Sequence, residues 1–375
     1  MTPKRMAALV AAALVAVAAC GGDDDDASPS TEPAPAATEA PAATGAPEPT
    51  DAPATTEAPG APTTDATATT APTTEPATDG PVLDRPLKVT SIGYANEITL
   101  LWAVEKGLFD KHGIEVERVA VGGGSAAMAA VTTGAVDLGF TNGLSAIQGF
   151  SQGFPIQIVL GAYENAYPGD PVTGRGVVVN VNSGVSAPCD LEGKKVGVTE
   201  LGNIGYQYWL AWLRESGCNT EDVNFVPVPA GQIVAALEAG RVDAIETGGN
   251  AVQDLVEAGT GARLGDPMAE TTGRVEYAMY IANNTFIEEH PEAIAAFSAA
   301  MNESLAQIKD PANEAEWLEI AAKFANTTVE SLQRSQMENL DTVVEVEILE
   351  AMQQVLLDNG ALREPLDLSG LVYTP

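Results

Sequence analysis

The chain has 375 residues and carries 52 acidic against 18 basic side chains, a formal net charge of −34, with two histidines and three cysteines. That balance argues against nucleic-acid binding, which needs cations clustered on phosphate. His112 and His290 lie far apart in a chain without a CxxC or HExxH pattern, so it is poorly supplied for a metal centre.

Residues 1–19 read as a signal peptide: Lys4 and Arg5, then an uncharged Ala/Val/Leu run, then small residues. The apolar run falls short of the roughly 20 residues that a membrane span takes. Val17-Ala18-Ala19-Cys20 resembles the lipobox of bacterial lipoproteins, which implies cleavage before Cys20, lipid on its sulfur and attachment to the outer face of the cytoplasmic membrane. An ordinary signal peptide with an incidental cysteine is the alternative. Residues 20–84 form an acidic tether. From Gly21 to Pro81 there is no aromatic, cysteine, Lys or Arg, and such a stretch buries too little apolar surface to offset its ordering entropy.

From Val82 onward 40 acidic and 16 basic residues remain, a net charge of −24, in a length that suits two lobes. Apolar periodicity alternates between the strand and helix values. LKVTSIGY (87–94), IEVERVAVG (114–122), AVDLGFT (135–141) and PIQIVLGAY (155–163) read as strands, with helices over 97–113, 124–134 and 144–153 between them. GVVVNV (176–181), VNFVPV (223–228) and RVDAIET (241–247) repeat the scheme around helices at 203–217 and 231–240. TTGRVEYAMYIAN (271–283) then reads as a strand returning to the first lobe, and the remainder is mainly helical. This alternation predicts an α/β architecture of parallel sheets with helices on both faces. Lobe 1 takes residues 85–177 and 277–375 and lobe 2 takes 178–276. Two crossings imply a hinge and a cleft between the lobes.

Several segments resemble one family. AVEKGLFDKHGIEVE (103–117), AAMAAVTTGAVDLGF (126–140), QGFPIQIV (152–159), DLEGKKVGV (190–198), AALEAGRVDAI (235–245) and FIEEHPEAIAAF (286–297) are similar, in order, to solute-binding proteins of the nitrate, taurine, alkanesulfonate and thiamine-pyrimidine type. The resemblance implies a two-lobed, type II periplasmic-binding-protein fold. It also implies capture of a small solute for an ABC permease whose ATPase is a separate subunit. The chain itself lacks a GxxxxGK[ST] loop for ATP. No cofactor and no catalysis are expected, and the protein is expected to be a monomer. A sensory lipoprotein without transport is the rival reading, and a thiamine-pyrimidine synthase-like enzyme a weaker one.

In open parallel sheets ligands bind beyond the carboxyl ends of the strands. That rule selects Tyr94, Asn96 and Glu97; Gly123, Gly124 and Ser125; Thr141 and Asn142; Tyr163 and Glu164 in lobe 1. In lobe 2 it selects Glu200, Asn203 and Ile204, with Glu246 and Asn250. The GGGS stretch is a candidate anion site at a helix start, or simply a tight turn with Ser125 as the cap. Against an anion stand Glu97, Glu164, Glu200 and Glu246. Either most of these face solvent or brace Arg175 and Arg274 near the crossings, or two or more point inward, in which case a cationic or neutral heterocyclic solute is favoured. Tyr94, Tyr163, Tyr167 and Tyr206 are candidates to sandwich a ring, whereas Trp102, Trp209 and Trp212 read as core. Asp137 and Asp243, each following a helix-closing glycine, read as structural turn carboxylates. Cys189 and Cys218, 29 positions apart, form either a disulfide or two buried thiols.

Overall fold

The two runs of strands form two separate sheets in the computed structural model, which describes residues 82–165, 175–335 and 339–375. Residues 1–19, Cys20, the tether up to residue 81, and Tyr167 lie outside the described residues. The strands are β1 Leu87–Ser91, β2 Val116–Ala120, β3 Leu138–Thr141, β4 Ile156–Glu164, β5 Arg175–Asn180, β6 Lys195–Val198, β7 Asn224–Pro227, β8 Ala244–Gly248, β9 Gly261–Gly265, β10 Glu276–Asn283 and β11 Asn339–Leu340. The first sheet runs β11-β4-β10-β3-β1-β2 and the second β7-β6-β8-β5-β9.

Neither sheet is purely parallel, which corrects the sequence expectation. β1 is parallel to β2 and β3, and β6 to β7 and β8, as consecutive strand–helix–strand units require. The exceptions include the strands that follow each crossing. β5 runs antiparallel to β8 and β9, and β10 antiparallel to β3 and β4, because each enters its sheet from the opposite end.

Alternation along these strands feeds a core on each face. In β5, Val177 and Val179 join the cluster of Leu191, Val196, Trp209, Trp212 and Leu213, while Val178 joins Ile233, Leu237, Ile245 and Leu255 on the other side. In β10, Ala278, Tyr280 and Ala282 pack with Trp102, Phe109 and Phe297, while Met279 and Ile281 pack with Val131, Ile147, Leu349 and Met352. Burying such side chains stabilises by about 1.5–3 kcal/mol each. The helix Ile204–Glu215 divides its faces in the same manner. Ile204, Tyr208 and Ala211 join the core that contains the helix Val346–Asp358, and Trp209, Trp212 and Leu213 join the second sheet's own core.

The repeated Gly-x-Val-Asp element does the same work twice. Gly134 and Gly240 close their helices at φ +70° and +65°, a region that favours glycine. Lys88 N–H then donates to Asp137 Oδ2 at 2.8 Å while Asp137 N–H donates back to the Lys88 carbonyl at 3.0 Å. Lys195 and Asp243 make the equivalent exchange at 2.9 and 2.7 Å. Both aspartates are therefore turn carboxylates. Cys189 and Cys218 are joined by a disulfide. Val82 and Leu83, assigned above to the tether, already belong to the fold: Val82 N–H bonds the Gly113 carbonyl at 2.9 Å and Leu83 is buried in the first core.

Candidate functional site

A cavity of about 370 Å³ opens between the two sheets. The first sheet contributes Tyr94 and Asn96 from the turn after β1, Tyr163 of β4 and Tyr277 of β10. The second contributes Val198 of β6, Asn203, Ile204, Tyr206 and Trp209 around the start of the helix Ile204–Glu215, and Glu246 of β8. Arg175, at the start of β5, stands beside them.

Glu97 shapes this wall without lining it. The side chain is buried, and its Oε1 accepts from the N–H groups of Ile92, Gly93 and Tyr94 at 3.0, 2.7 and 3.0 Å, while its Oε2 accepts from the Ser91 hydroxyl at 2.5 Å. Four donors thus consume the carboxylate. Gly93 turns at φ +98°, and the loop presents Tyr94 and Asn96 to the cavity. On the opposite wall Asn203 caps its helix, its Oδ1 accepting from Tyr206 N–H at 2.9 Å and its Nδ2 donating to the Thr199 hydroxyl at 2.7 Å.

The aromatic rings are ordered against one another and against a cation. Tyr163 and Tyr277 stack with centroids 5.6 Å apart, and the Arg175 guanidinium lies 4.6 Å from the Tyr277 centroid. Arg175 also donates from Nη2 and Nε to Glu246 Oε1, at 3.1 and 3.3 Å. Burial pushes the Glu246 carboxyl up, and Arg175 opposes that shift. Trp209 is fully buried, and its indole N–H has no hydrogen-bond partner among the described residues.

Of the residues selected from the sequence, Tyr94, Asn96, Tyr163, Asn203, Ile204 and Glu246 line the cavity. Gly123, Gly124, Ser125, Thr141 and Asn142 lie outside its lining. Gly124 abuts β3 so closely that a Cβ there would stand 2.8 Å from Thr141 Oγ1, which explains the glycine by helix–strand packing. Ser125 is inside the helix Gly124–Thr132 rather than at its cap, and Asn142 caps the next helix through Ser145 N–H at 2.9 Å. Glu164, also off the lining, is held by Arg274 at 2.9 and 2.5 Å. Glu200 is exposed outside the lining, and Asn250 donates to the Ser331 carbonyl and hydroxyl at 2.5 and 2.6 Å. Of the four candidate glutamates only Glu246 is therefore in the described lining, paired with Arg175, while Glu164 braces Arg274.

Sequence reasoning missed Arg175, Tyr277, Leu332 and Ser335 as lining residues, while Trp209, read as core, is fully buried in the second sheet's core where it backs the cavity. Arg175 and Tyr277 belong to the crossing strands, which a rule about strand ends passes over. Leu332 and Ser335 come from the C-terminal helical part, where no sequence signal points to the cleft.

Two mixed α/β sheets facing one another across a cavity, with the chain passing twice between them, constitute the fold of periplasmic binding proteins. The structure of the aliphatic sulphonate-binding protein SsuA from Escherichia coli superposes with a TM-score of 0.62 at 19% identity, covering 77% of this chain and 92% of that one. The chain belongs to the NMT1/THI5 like family, whose model matches residues 95–315. A Brucella abortus protein provisionally named only as a binding protein is 24% identical over 314 residues, 75% of this chain and 88% of the relative. A Bacillus subtilis protein provisionally named an aliphatic sulfonates-binding protein is 25% identical over 284 residues, 72% of this chain and 80% of the relative.

Proposed function

We propose that this chain is the extracytoplasmic receptor of an ABC importer and that its solute is a small, neutral, hydrogen-bonding ring compound. The observation that carries this reading is the composition of the cavity. Among the described residues four tyrosines stand around the Arg175–Glu246 pair, and Asn96, Thr199 and Asn203 add amide and hydroxyl groups to the lining. Aromatic faces favour a planar solute, and the pairing of Glu246 with Arg175 offsets the charge of the one candidate glutamate in the described lining. Of the four candidate glutamates only Glu246 is in the described lining, so the preference for a neutral ring rests on the aromatic side chains and not on inward carboxylates.

In this reading Tyr94, Asn96, Tyr163, Asn203, Ile204 and Glu246, joined by Arg175 and Tyr277, form the binding surface. The segments that build the first sheet, 85–165 with 276–375, and those that build the second, from 175 to 265, act as lobes that close on the solute, driven by its greater affinity for the closed state. Residues 1–19 direct export, Cys20 carries the lipid, and the tether lets a monomeric receptor reach a permease whose ATPase is a separate subunit. The membership of the family and the names of its relatives support transport over catalysis. Titration of the purified full chain with uracil and riboflavin, followed by tryptophan fluorescence, tests the reading. Saturable binding that Tyr277→Ala weakens by about tenfold supports it. Absence of saturable binding with either ring contradicts it.

A further inference from the structure

We infer that the cleft opens at one edge, between the helix Asn250–Glu257 and the helix Val329–Arg334, and that Asn250, Asp254, Ser331 and Arg334, all outside the cavity lining, set how tightly the receptor holds its solute. The inference rests on the reading of this cavity as the solute site and adds the residues that govern affinity from outside it.

The two helices are anchored in different lobes. Leu255 of the first belongs to the core of Val178, Ile233, Leu237 and Ile245 against the second sheet, and Leu332 of the other to the core that holds Phe297, Leu318 and Ala321 against the first. Where they meet, Asn250 Nδ2 donates to the Ser331 carbonyl and hydroxyl at 2.5 and 2.6 Å, and Arg334 Nη2 donates to Asp254 Oδ1 at 3.0 Å. A Cβ on Gly249 would stand 3.9 Å from Ser335 Cβ. Gly248 and Gly249, which lead into one helix, line the cavity together with Leu332 and Ser335 from the other, so the clasp is also a wall of the cavity.

The lobes also meet where the helix Ile204–Glu215 lies on the helix Val346–Asp358, and that contact is built differently. Ile204, Tyr208 and Ala211 share a core with Ile348, Leu349, Met352 and Val355. Separating those helices would expose an apolar core to water, whereas separating the clasp exchanges two hydrogen bonds and a half-exposed ion pair for contacts with water at little net cost. Opening also relieves Asn250 Oδ1, which is buried in the clasp without a hydrogen-bond partner among the described residues. The clasp is thus the edge that yields, and the apolar pair the side about which the lobes turn. Contacts made only in the closed state add to the affinity for a solute enclosed by it.

The test measures distances between paired nitroxide labels by pulsed electron resonance in the full chain, with Cys20→Ser so that the disulfide-bonded cysteines leave no other free thiol. One pair, Val256→Cys with Glu330→Cys, spans the clasp, and the other, Glu215→Cys with Glu350→Cys, spans the apolar contact; all four positions are exposed. Each pair is measured with native Arg334 and with Arg334→Glu, which sets a like charge against Asp254 at a half-exposed site that the fold does not depend on. The clasp distance is expected to lengthen in Arg334→Glu while the other stays the same, and adding Asp254→Arg should restore it. Uracil or riboflavin should be held about fivefold less tightly by Arg334→Glu, and as tightly as by the native chain once the charges are exchanged. Equal clasp distances in the two chains, a lengthening of both pairs together, or an unchanged affinity for a ring that the native chain binds overturns the inference. If neither ring binds the native chain, the reading of the solute fails, and the distances still decide whether the cleft opens at this edge.

Discussion

Glu276 and Glu164 stand directly opposite one another on the neighbouring antiparallel strands β10 and β4, and both are buried. Arg274 holds Glu164 at 2.9 and 2.5 Å and Glu345 at 2.8 Å, and Glu345 N–H donates to Glu276 Oε1 at 2.9 Å. Two carboxylates thus share Arg274, and a third, Glu276, is tied to them through the Glu345 backbone where the chain re-enters the first sheet.

Burial, with Glu164 across the sheet, raises the Glu276 carboxyl to about 7 from 4.5, against the Glu345 amide and Arg274, which lower it. A raised carboxyl binds its proton more tightly in the folded state. Below 4.5 both states hold the proton and nothing is lost; as pH rises towards 7 the unfolded state releases it first, so stability falls, and the full penalty stands above 7. Glu276→Gln should therefore match the native chain near pH 4 and exceed its stability by on the order of 3 kcal/mol at pH 8. Urea unfolding across this range checks it; parallel profiles for the two proteins would remove the argument.

Truncating the arginine acts in the opposite sense. Arg274→Ala leaves Glu164 buried beside Glu276 without its cation, and the cost should be about 3–5 kcal/mol at neutral pH. Arg274→Lys keeps the charge but not the two-pronged contact and should recover part of the loss. Thermal unfolding of both variants gives the comparison, and an alanine variant as stable as the native chain contradicts it.

Glu97→Ala removes one side chain but orphans four donors, three of them backbone amides. The expected cost is about 2–4 kcal/mol. Because the same loop carries Tyr94 and Asn96, affinity for a ring compound should fall with stability. A variant that loses stability but binds uracil or riboflavin as the native chain does would separate the loop from the site.

Reduction of the Cys189–Cys218 bridge opens a loop with a sequence separation of 29. The chain-entropy account gives a loss of about 3–4 kcal/mol. Urea unfolding of Cys189→Ser/Cys218→Ser against the oxidised chain measures it, and a difference near zero would show that the unfolded chain gains no freedom from the cut.

Much of this fold was legible because its elements obey local rules. Val177 to Val179 alternate between two cores, and Ile204, Tyr208 and Ala211 recur at helical spacing. Gly134 and Gly240 announce their turns by composition alone. The direction of β5 and β10 was not legible, since strand polarity depends on which end of a sheet a crossing enters. β9, GARLG, escaped notice because it has no apolar alternation; it forms as the partner that completes the edge of β5.

The site was less legible than the fold. Position at a strand end picked out Tyr94, Asn203 and Glu246, but it does not reveal where a side chain's hydrogen bonds go. Glu97 and Glu246 look alike in sequence, yet one is spent on three amides of its own loop and the other meets Arg175 at the cavity. Nothing around residues 329–335 announces that Leu332 and Ser335 reach the same cavity.

The central claim is that a cavity of little net charge between two sheets takes a neutral ring. The most direct measurement is thermal unfolding of the full chain against a panel grouped by charge: methanesulfonate and nitrate, spermidine and choline, uracil and riboflavin. A solute at 1,000 times its Kd stabilises by about 4.1 kcal/mol. The account predicts a shift with a neutral ring and none with the anions or cations. Stabilisation of the native chain by methanesulfonate or nitrate alone would contradict it and assign the Arg175 side of the cavity to an anionic solute.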